Sequence, residues 1–357
     1  MRFSEIAIIG GGPAGMCAAL VAAQQGAKVS LFDSAKVLGG QLIKQTHRFF
    51  GSEKEHAGTR GIQICAMLEE EIRKNENIDL HLDATVISAY ENKVIAYEEK
   101  GNFYKVACKK IVVAAGAAEK MLPFVNNDYP GVYGAGAVQT LMNVHGVIPG
   151  ERVLMVGSGN IGLIVSYQLM QAGVKVAAII EGAPYIGGYK VHASKVRRMG
   201  VPILTSHTIV EACGSECVEG AIICELDDKW HQIPGTEKKI DVDTICLSVG
   251  LSPLTELLWQ VGCQLKYIPP LGGHVPVRDE NMETTVSGFY VAGDASGVEE
   301  ASSAMIEGKI AGLAAAASLG YNRDYTKLRK EYLEDIQVLR SGPVGEKIRQ
   351  GLQILAG

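Results

Sequence analysis

Three glycine-containing segments carry the chemistry this sequence could do. The first is Gly10-Gly11-Gly12-Pro13-Ala14-Gly15, which matches G-x-G-x-x-G between an apolar run and an alanine-rich stretch. Gly10 permits a tight turn, Gly12 lets the backbone approach a pyrophosphate, and Gly15 lets a helix pack closely on a strand. The helix that Pro13 and Ala14 open then aims unpaired N–H groups and its positive dipole end at the phosphates. Asp33 ends the next apolar run, where a carboxylate accepts hydrogen bonds from an adenosine ribose. The second segment, Gly157-Ser158-Gly159-Asn160-Ile161-Gly162, has the same context, with Glu181 as its terminal acid. A carboxylate there suits a free ribose diol and repels a 2′-phosphate, and no arginine follows Glu181 within the next turn. NAD(H) is therefore expected over NADP(H). A fingerprint does not report on the nicotinamide half of a pocket, so a site for an adenine nucleotide alone stays open. The third segment runs from Thr285 through Phe289-Tyr290-Val291-Ala292 to Gly293-Asp294, a short strand that delivers a glycine and an acid to the start of a helix.

The elements that must position these groups follow from pattern. Residues 6–10 read as a buried parallel strand, 14–25 as a helix closed by Gly26, and 28–32 as a second strand. That βαβ unit returns as a strand over 152–156, a helix over 160–172 closed by Gly173, and a strand over 174–180. Regions 80–113 and 203–247 read as β-structure, 289–292 as a short strand and 300–318 as an alanine-rich helix. A charged amphipathic helix at 324–340 and a short last helix follow, and are expected to pack on a neighbour or a partner.

The order of motifs resembles the flavoproteins with two dinucleotide-binding domains, the superfamily of thioredoxin and glutathione reductases. The resemblance runs from about residue 5 to residue 322. It implies FAD on the first fingerprint, with Asp294 on a ribityl hydroxyl and Ala301 and Ser302, at the start of the following helix, near the flavin carbonyl oxygen. A positive helix end there favours the anionic reduced flavin. Ile111-Val112-Val113-Ala114-Ala115-Gly116, with Pro123 beyond, resembles the family's crossover from the FAD to the NAD domain, and Thr244 to Pro253 the return. Leu38-Gly39-Gly40-Gln41 resembles the flavin-side loop of thioredoxin reductases. Lys44 and His47, just beyond it, are candidates for holding the flavin edge or handling a proton.

The resemblance implies a fold of class α/β with two Rossmann-like domains of the glutathione reductase type. An FAD domain at 1–119 and 251–322 is interrupted by an NAD(H) domain at 120–250, and a helical tail occupies 323–357. On this reading FAD is held by Gly10, Gly12, Pro13, Ala14, Gly15, Asp33, Gly40, Gln41, Ala115, Gly116, Gly293, Asp294, Ala301 and Ser302. NAD(H) is held by Gly157, Gly159, Asn160, Ile161, Gly162, Glu181 and Gly250. Segments 129–150 and 302–312 further resemble the flavoprotein components of dehydrogenase assemblies that act on amines and imino acids. Among these are the sarcosine oxidase alpha, opine oxidase A, hydrogen cyanide synthase B and dye-linked proline dehydrogenase alpha subunits.

The departures shape the expected function. Disulfide reductases need two cysteines facing the flavin, yet residues 34–60 contain none and no Cys-x-x-Cys occurs among the eight cysteines. A dithiol relay through Cys213 and Cys217 is the least favoured alternative. Expected instead is hydride transfer between NAD(H) and FAD, with electrons passing to or from a partner dehydrogenase or iron–sulfur subunit, since no cysteine follows Cys263. The substrate would then sit on the partner. Direct oxidation of an amine or imino acid, and a non-catalytic assembly role with FAD plus ADP or ATP, remain open alternatives.

A cytoplasmic protein without metal is expected, and one that forms an oligomer. Net charge is −5 with Lys and Arg scattered, which speaks against nucleic acid and membrane surfaces. Residues 1–5 are too short and polar for a signal peptide. The uncharged run Val153 to Val174 contains four glycines, Asn160 and Gln168, and reads as strand, turn and helix rather than a membrane span. His145, His192 and His207 lack metal-ligand spacing, and Glu299 and Glu300 read as helix starters.

Overall fold

The apolar run at the start of the chain becomes β1 (Arg2–Ile9), whose last four residues are buried. The computed structural model describes residues 2–49, 51–343 and 345–357. After the glycine turn come α1 (Pro13–Gln25), β2 (Val29–Phe32), α2 (Gly61–Lys74) and β3 (Ile78–His81). A meander of β4 (Ala84–Ala89), β5 (Val94–Glu99) and β6 (Asn102–Val113) follows, then the short β7 (Ala117–Glu119). The next segment holds β8 (Val132–Gly134), α3 (Ala135–Asn143), β9 (Arg152–Val156), α4 (Asn160–Gln171), β10 (Lys175–Glu181), α5 (Lys190–Arg198), β11 (Ile203–Thr205), β12 (His207–Cys213), β13 (Gly220–Glu225), β14 (Lys238–Ile240) and β15 (Thr244–Leu247). The chain returns through β16 (Leu251–Pro253), α6 (Glu256–Gln260), β17 (Leu265–Ile268), β18 (Gly273–Pro276), β19 (Phe289–Val291) and α7 (Ala301–Ala317). It closes with α8 (Tyr325–Leu339) and α9 (Glu346–Ala356).

Two compact units result. One joins the residues up to Ala118 with Ser252–Gly357, and the other is Glu119–Leu251. In the first, the sheet order is β3-β2-β1-β6-β5-β4. The long β6 pairs in parallel with β1, antiparallel with β5 through its first half, and in parallel with β19 through its last three residues. In the second, β11-β10-β9-β15-β8 form a parallel sheet, and β12-β13-β14 a separate antiparallel one. The uncharged run Val153 to Val174 is divided between β9, the glycine turn and α4. Among the described residues no helix is long and apolar enough to cross a membrane.

In the first unit α1 packs against α7, and both are buried on nearly every side, as their alanine-rich sequences require. Gly308 and Gly312, four residues apart, lie on one face of α7. A Cβ at Gly308 would stand 2.0 Å from the Ala14 carbonyl oxygen, and one at Gly312 would stand 2.3 Å from that of Ala18. The helices therefore meet backbone to backbone, which holds the start of α7 against the first fingerprint. Gly308→Val is expected to cost roughly 3 kcal/mol or more, because the obstacle is main chain that cannot rotate away. For a unit of this size that is a fall in Tm of roughly 10 °C. Thermal unfolding of the FAD-loaded chain checks it, and an unchanged Tm would show that the two backbones do not touch.

The tail departs from the sequence expectation of a neighbour or partner. It packs on its own unit: Tyr332, Leu333, Ile336 and Leu339 of α8 meet the core around α7. Leu355, Ile348 and Leu352 of α9 close a small cluster with Ile268, Leu271 and Val275. These residues of both helices are covered from within the unit, while Val338 and Ile354 stay exposed.

Candidate dinucleotide-binding sites

Both fingerprints are built by the same close contacts. Gly10 adopts φ 109° and Gly157 φ 108°, a region that favours glycine. A Cβ on Gly10 would lie 2.2 Å from the Ala114 carbonyl oxygen, and one on Gly157 would lie 2.2 Å from that of Ser248. The crossover strands β6 and β15 thus press their ends onto the first glycine of each motif, which places Ala115 and Gly116 beside one and Gly250 beyond the other. Gly15 and Gly162 sit on the carbonyl oxygens of Gly10 and Gly157. The middle glycines differ from these. A Cβ at Gly12 would meet only the Gly40 Cα, at 4.0 Å, and one at Gly159 nothing within 4 Å. Each is the N-cap of its helix and no side chain caps either. Open space in front of an uncapped helix start is what an entering phosphate requires.

The terminal acids reach back to the same turns. Asp33 accepts the Gly11 N–H at 2.5 Å and the Ala35 N–H at 2.7 Å. Glu181 accepts the Ser158 N–H at 2.8 Å, the Ser158 hydroxyl at 2.7 Å and the Ala183 N–H at 3.0 Å. Asn160 is turned to the protein, its side-chain oxygen accepting the Tyr189 N–H at 2.8 Å, and Ile161 is exposed.

A second glycine pair escaped the sequence reading. Leu38-Gly39-Gly40 starts five residues after Asp33, and Ile186-Gly187-Gly188 starts five residues after Glu181. Gly39 donates its N–H to the Gly11 carbonyl at 2.8 Å, and Gly188 donates to the Ser158 carbonyl at 2.9 Å. Both pairs fold over their fingerprints, so the internal duplication extends past the acids. The equal spacing was a usable signal.

The third motif is set by charge as well as by backbone. Gly293, at φ 69°, donates its N–H to Glu307 at 3.0 Å, and the Ser296 hydroxyl donates to the same oxygen at 2.5 Å. The other Glu307 oxygen accepts Arg278 at 3.0 Å and Arg340 at 2.7 Å, while Arg340 also forks onto Glu299. Glu307 is 2% exposed. Burial alone would raise its carboxyl, but the two guanidinium groups outweigh burial and hold it below its ordinary value. Glu299 is therefore no helix starter. It pairs with the tail's Arg340, and Glu300 takes the N-cap of α7 without a side-chain capping bond. Asp294 accepts the Glu299 N–H at 3.3 Å. Ser302 is buried near Gly51 and Leu339, at the start of α7 with Ala301.

A family model described as pyridine nucleotide-disulphide oxidoreductase matches residues 4–308. The chain belongs to that family. The A subunit of opine oxidase from Agrobacterium tumefaciens (strain Ach5) is 28% identical over 343 residues, covering 89% of this chain and 66% of the relative. Hydrogen cyanide synthase subunit HcnB of Pseudomonas protegens is 25% identical, over 86% of this chain and 69% of the relative. This chain thus spans about two thirds of the length of those two relatives. The structure of L-proline dehydrogenase from P. horikoshii aligns with a TM-score of 0.71 at 25% identity, over 93% of this chain and 59% of that one. Thioredoxin reductase from T. acidophilum, at 22% identity and a TM-score of 0.73, shares the fold over 89% of this chain and 99% of that one.

As a pyridine nucleotide-disulphide oxidoreductase the chain is FAD-dependent, and its cofactors are FAD and a pyridine nucleotide. Its residues fit both: two uncapped helix starts whose middle glycines leave the cradle open, each with an acid at the next strand end. The disulphide part of the family name has less support among the described residues. Cys65 lies under the first glycine pair, where it donates to the Leu38 carbonyl, and burial pushes its thiol up to about 11, which keeps it protonated. Cys213 ends β12, and the exposed Cys217 lies in the turn that follows it. Lys44 ends the short turn of helix Gly40–Lys44, and the exposed Gln41 lies within it. The His47 ring lies 6.3 Å from that of Phe49.

Burial pushes the Asp294 carboxyl up to about 6, with Glu307 and Glu299 adding to it and the Glu299 N–H opposing it. An unfolded aspartate gives up its proton near 3.8. Between these values the folded ligand-free chain holds a proton that the unfolded chain has lost, so its stability should fall as pH rises from about 4 to 6. Asp294→Asn should flatten that slope, leaving the part due to Glu299, whose carboxyl burial also raises. On the expected ribityl role FAD affinity should rise through the same window, because a hydroxyl donor favours the carboxylate. Tm and FAD affinity against pH for both chains check this, and parallel curves would contradict it.

Proposed function

We propose that this chain transfers hydride between NAD(H), held on Gly157–Gly162 and Glu181, and FAD, held on Gly10–Gly15, Asp33 and Asp294. We further propose that it serves as the flavoprotein subunit of a multi-subunit dehydrogenase and exchanges electrons with a partner. The observation that carries the first statement is the duplicated cradle, in which each open middle glycine is matched with an acid on its own fingerprint turn. Relatives named as subunits of opine oxidase and hydrogen cyanide synthase support the second. FAD supplies the redox chemistry when bound. The chain's own residues hold and orient: Gly12 and Gly159 admit the pyrophosphates, Asp33 and Glu181 take the ribose hydroxyls, and Asp294 takes the ribityl chain. Glu181 favours NAD(H) because its carboxylate would lie against a 2′-phosphate.

Anaerobic titration of the purified chain with NADH tests the reading. Stoichiometric loss of the oxidised flavin band at about 450 nm is expected, with a much weaker response to NADPH. A chain that binds NADH yet keeps its flavin oxidised would remove hydride transfer and leave an assembly role. The proline dehydrogenase likeness favours a second reading, direct oxidation of an imino acid. That reading requires proline or sarcosine to bleach the flavin without NADH.

A further inference from the structure

We propose that Trp230 is the stacking wall for the adenine ring of the nucleotide held on the second fingerprint. The inference rests on the reading of that fingerprint as an adenine dinucleotide site. Glu181 is the acid for the adenosine ribose, and the base leaves that same ribose, so adenine must lie against the residues that flank Glu181. The next residue is Gly182. A Cβ there would stand 2.5 Å from Cζ3 of Trp230 and 3.3 Å from its Cη2, so the indole's six-membered ring lies directly on the Gly182 backbone.

The indole is held there by the turn that carries it. Trp230 adopts φ 67°, a conformation unfavourable for a bulky residue. The Asp227 carboxylate accepts the N–H groups of Lys229 and His231 at 2.9 and 2.8 Å, and the Trp230 N–H donates to the Asp227 carbonyl at 3.1 Å. This loop is itself docked on the ribose side of the site. Ser206 donates its N–H to the Ala183 carbonyl at 3.0 Å, and Leu226 donates to the Ser206 carbonyl at 2.8 Å. A backbone relay thus runs from the residue after Gly182 to the foot of the Trp230 turn. Despite this support, 62% of the tryptophan's surface faces solvent. A large aromatic ring fixed in a strained turn, largely uncovered, beside the ribose acid, is suited to stack on a purine. Glycine at 182 is what lets the ring lie so close.

The chain has two tryptophans, and the other, Trp259, is exposed in the first unit. In FAD-loaded Trp259→Phe protein, Trp230 is therefore the single indole reporter. Titration with ADP-ribose, which does not absorb where indole is excited, should quench its emission. Calorimetry should show Trp230→Ala weakening ADP-ribose binding about tenfold, Trp230→Phe restoring most of it, and nicotinamide mononucleotide unaffected. Gly182→Ala, which displaces the ring without altering it, should weaken binding in the same direction. Undiminished ADP-ribose binding by Trp230→Ala would overturn the stacking role and leave the nucleotide site standing. Failure of the parent chain to bind ADP-ribose would overturn both.

Discussion

Glu307→Ala should cost the first unit about 3–5 kcal/mol, which is the scale for removing one partner from a buried ion pair. Among the described residues the substitution leaves Arg278, whose side chain is 8% exposed, with no carboxylate within salt-bridge distance, and it removes one of the two acids that Arg340 grips. It also orphans the Gly293 N–H, the residue that aims Asp294. The expected readout is a fall in Tm of roughly 10–15 °C together with loss of FAD on dilution. Adding Arg278→Met to Glu307→Ala should recover part of the loss, since the uncompensated guanidinium is then gone. A single variant within about 1 kcal/mol of wild type would mean that the four charges do not act as a network.

The second large effect divides the two nucleotide sites. Gly12→Val should yield a chain that purifies without FAD, because its side chain would fill the space in front of the α1 start. Gly159→Val should keep FAD and its colour yet slow reduction by NADH about a hundredfold or more, the scale of a displacement of about 1 Å at a reacting pair. The side chain lands in the open cradle of the second unit. Stopped-flow absorbance on both variants separates the outcomes. Unimpaired NADH reduction in Gly159→Val would mean that hydride reaches the flavin from somewhere other than the second fingerprint.

Much of this architecture was legible because the chemistry demands local spacing. A phosphate cradle needs glycines at fixed offsets between a strand and a helix, and an acid at the next strand end. All of that lies within about two dozen residues in each unit. Helices ended at Gly26 and near Gly173 for equally local reasons. The Ile186-Gly187-Gly188 pair was local too, and its offset from Glu181 matched the first copy, but glycine pairs without a named role are easily passed over.

What the residues did not disclose depended on partners far apart in the chain. Glu299 sits where a helix starter belongs, and nothing nearby indicates that Arg340, 41 residues on, will take it. Glu307 is the one acid of an alanine-rich helix, and its bonds run to Arg278, Ser296, Gly293 and Arg340. The tail's apolar stripe was visible, but its occupant was not. Trp230 gained meaning only once Ala183, Ser206 and Leu226 were bonded in series. The two glycine turns and their acids could be read from local spacing, because backbone conformation and the helix dipole act over one turn. Which buried charges compensate one another, and which backbone the Trp230 ring lies against, came only with the assembled fold. Burial and ion pairing arise when distant segments meet, and residue spacing does not encode that meeting.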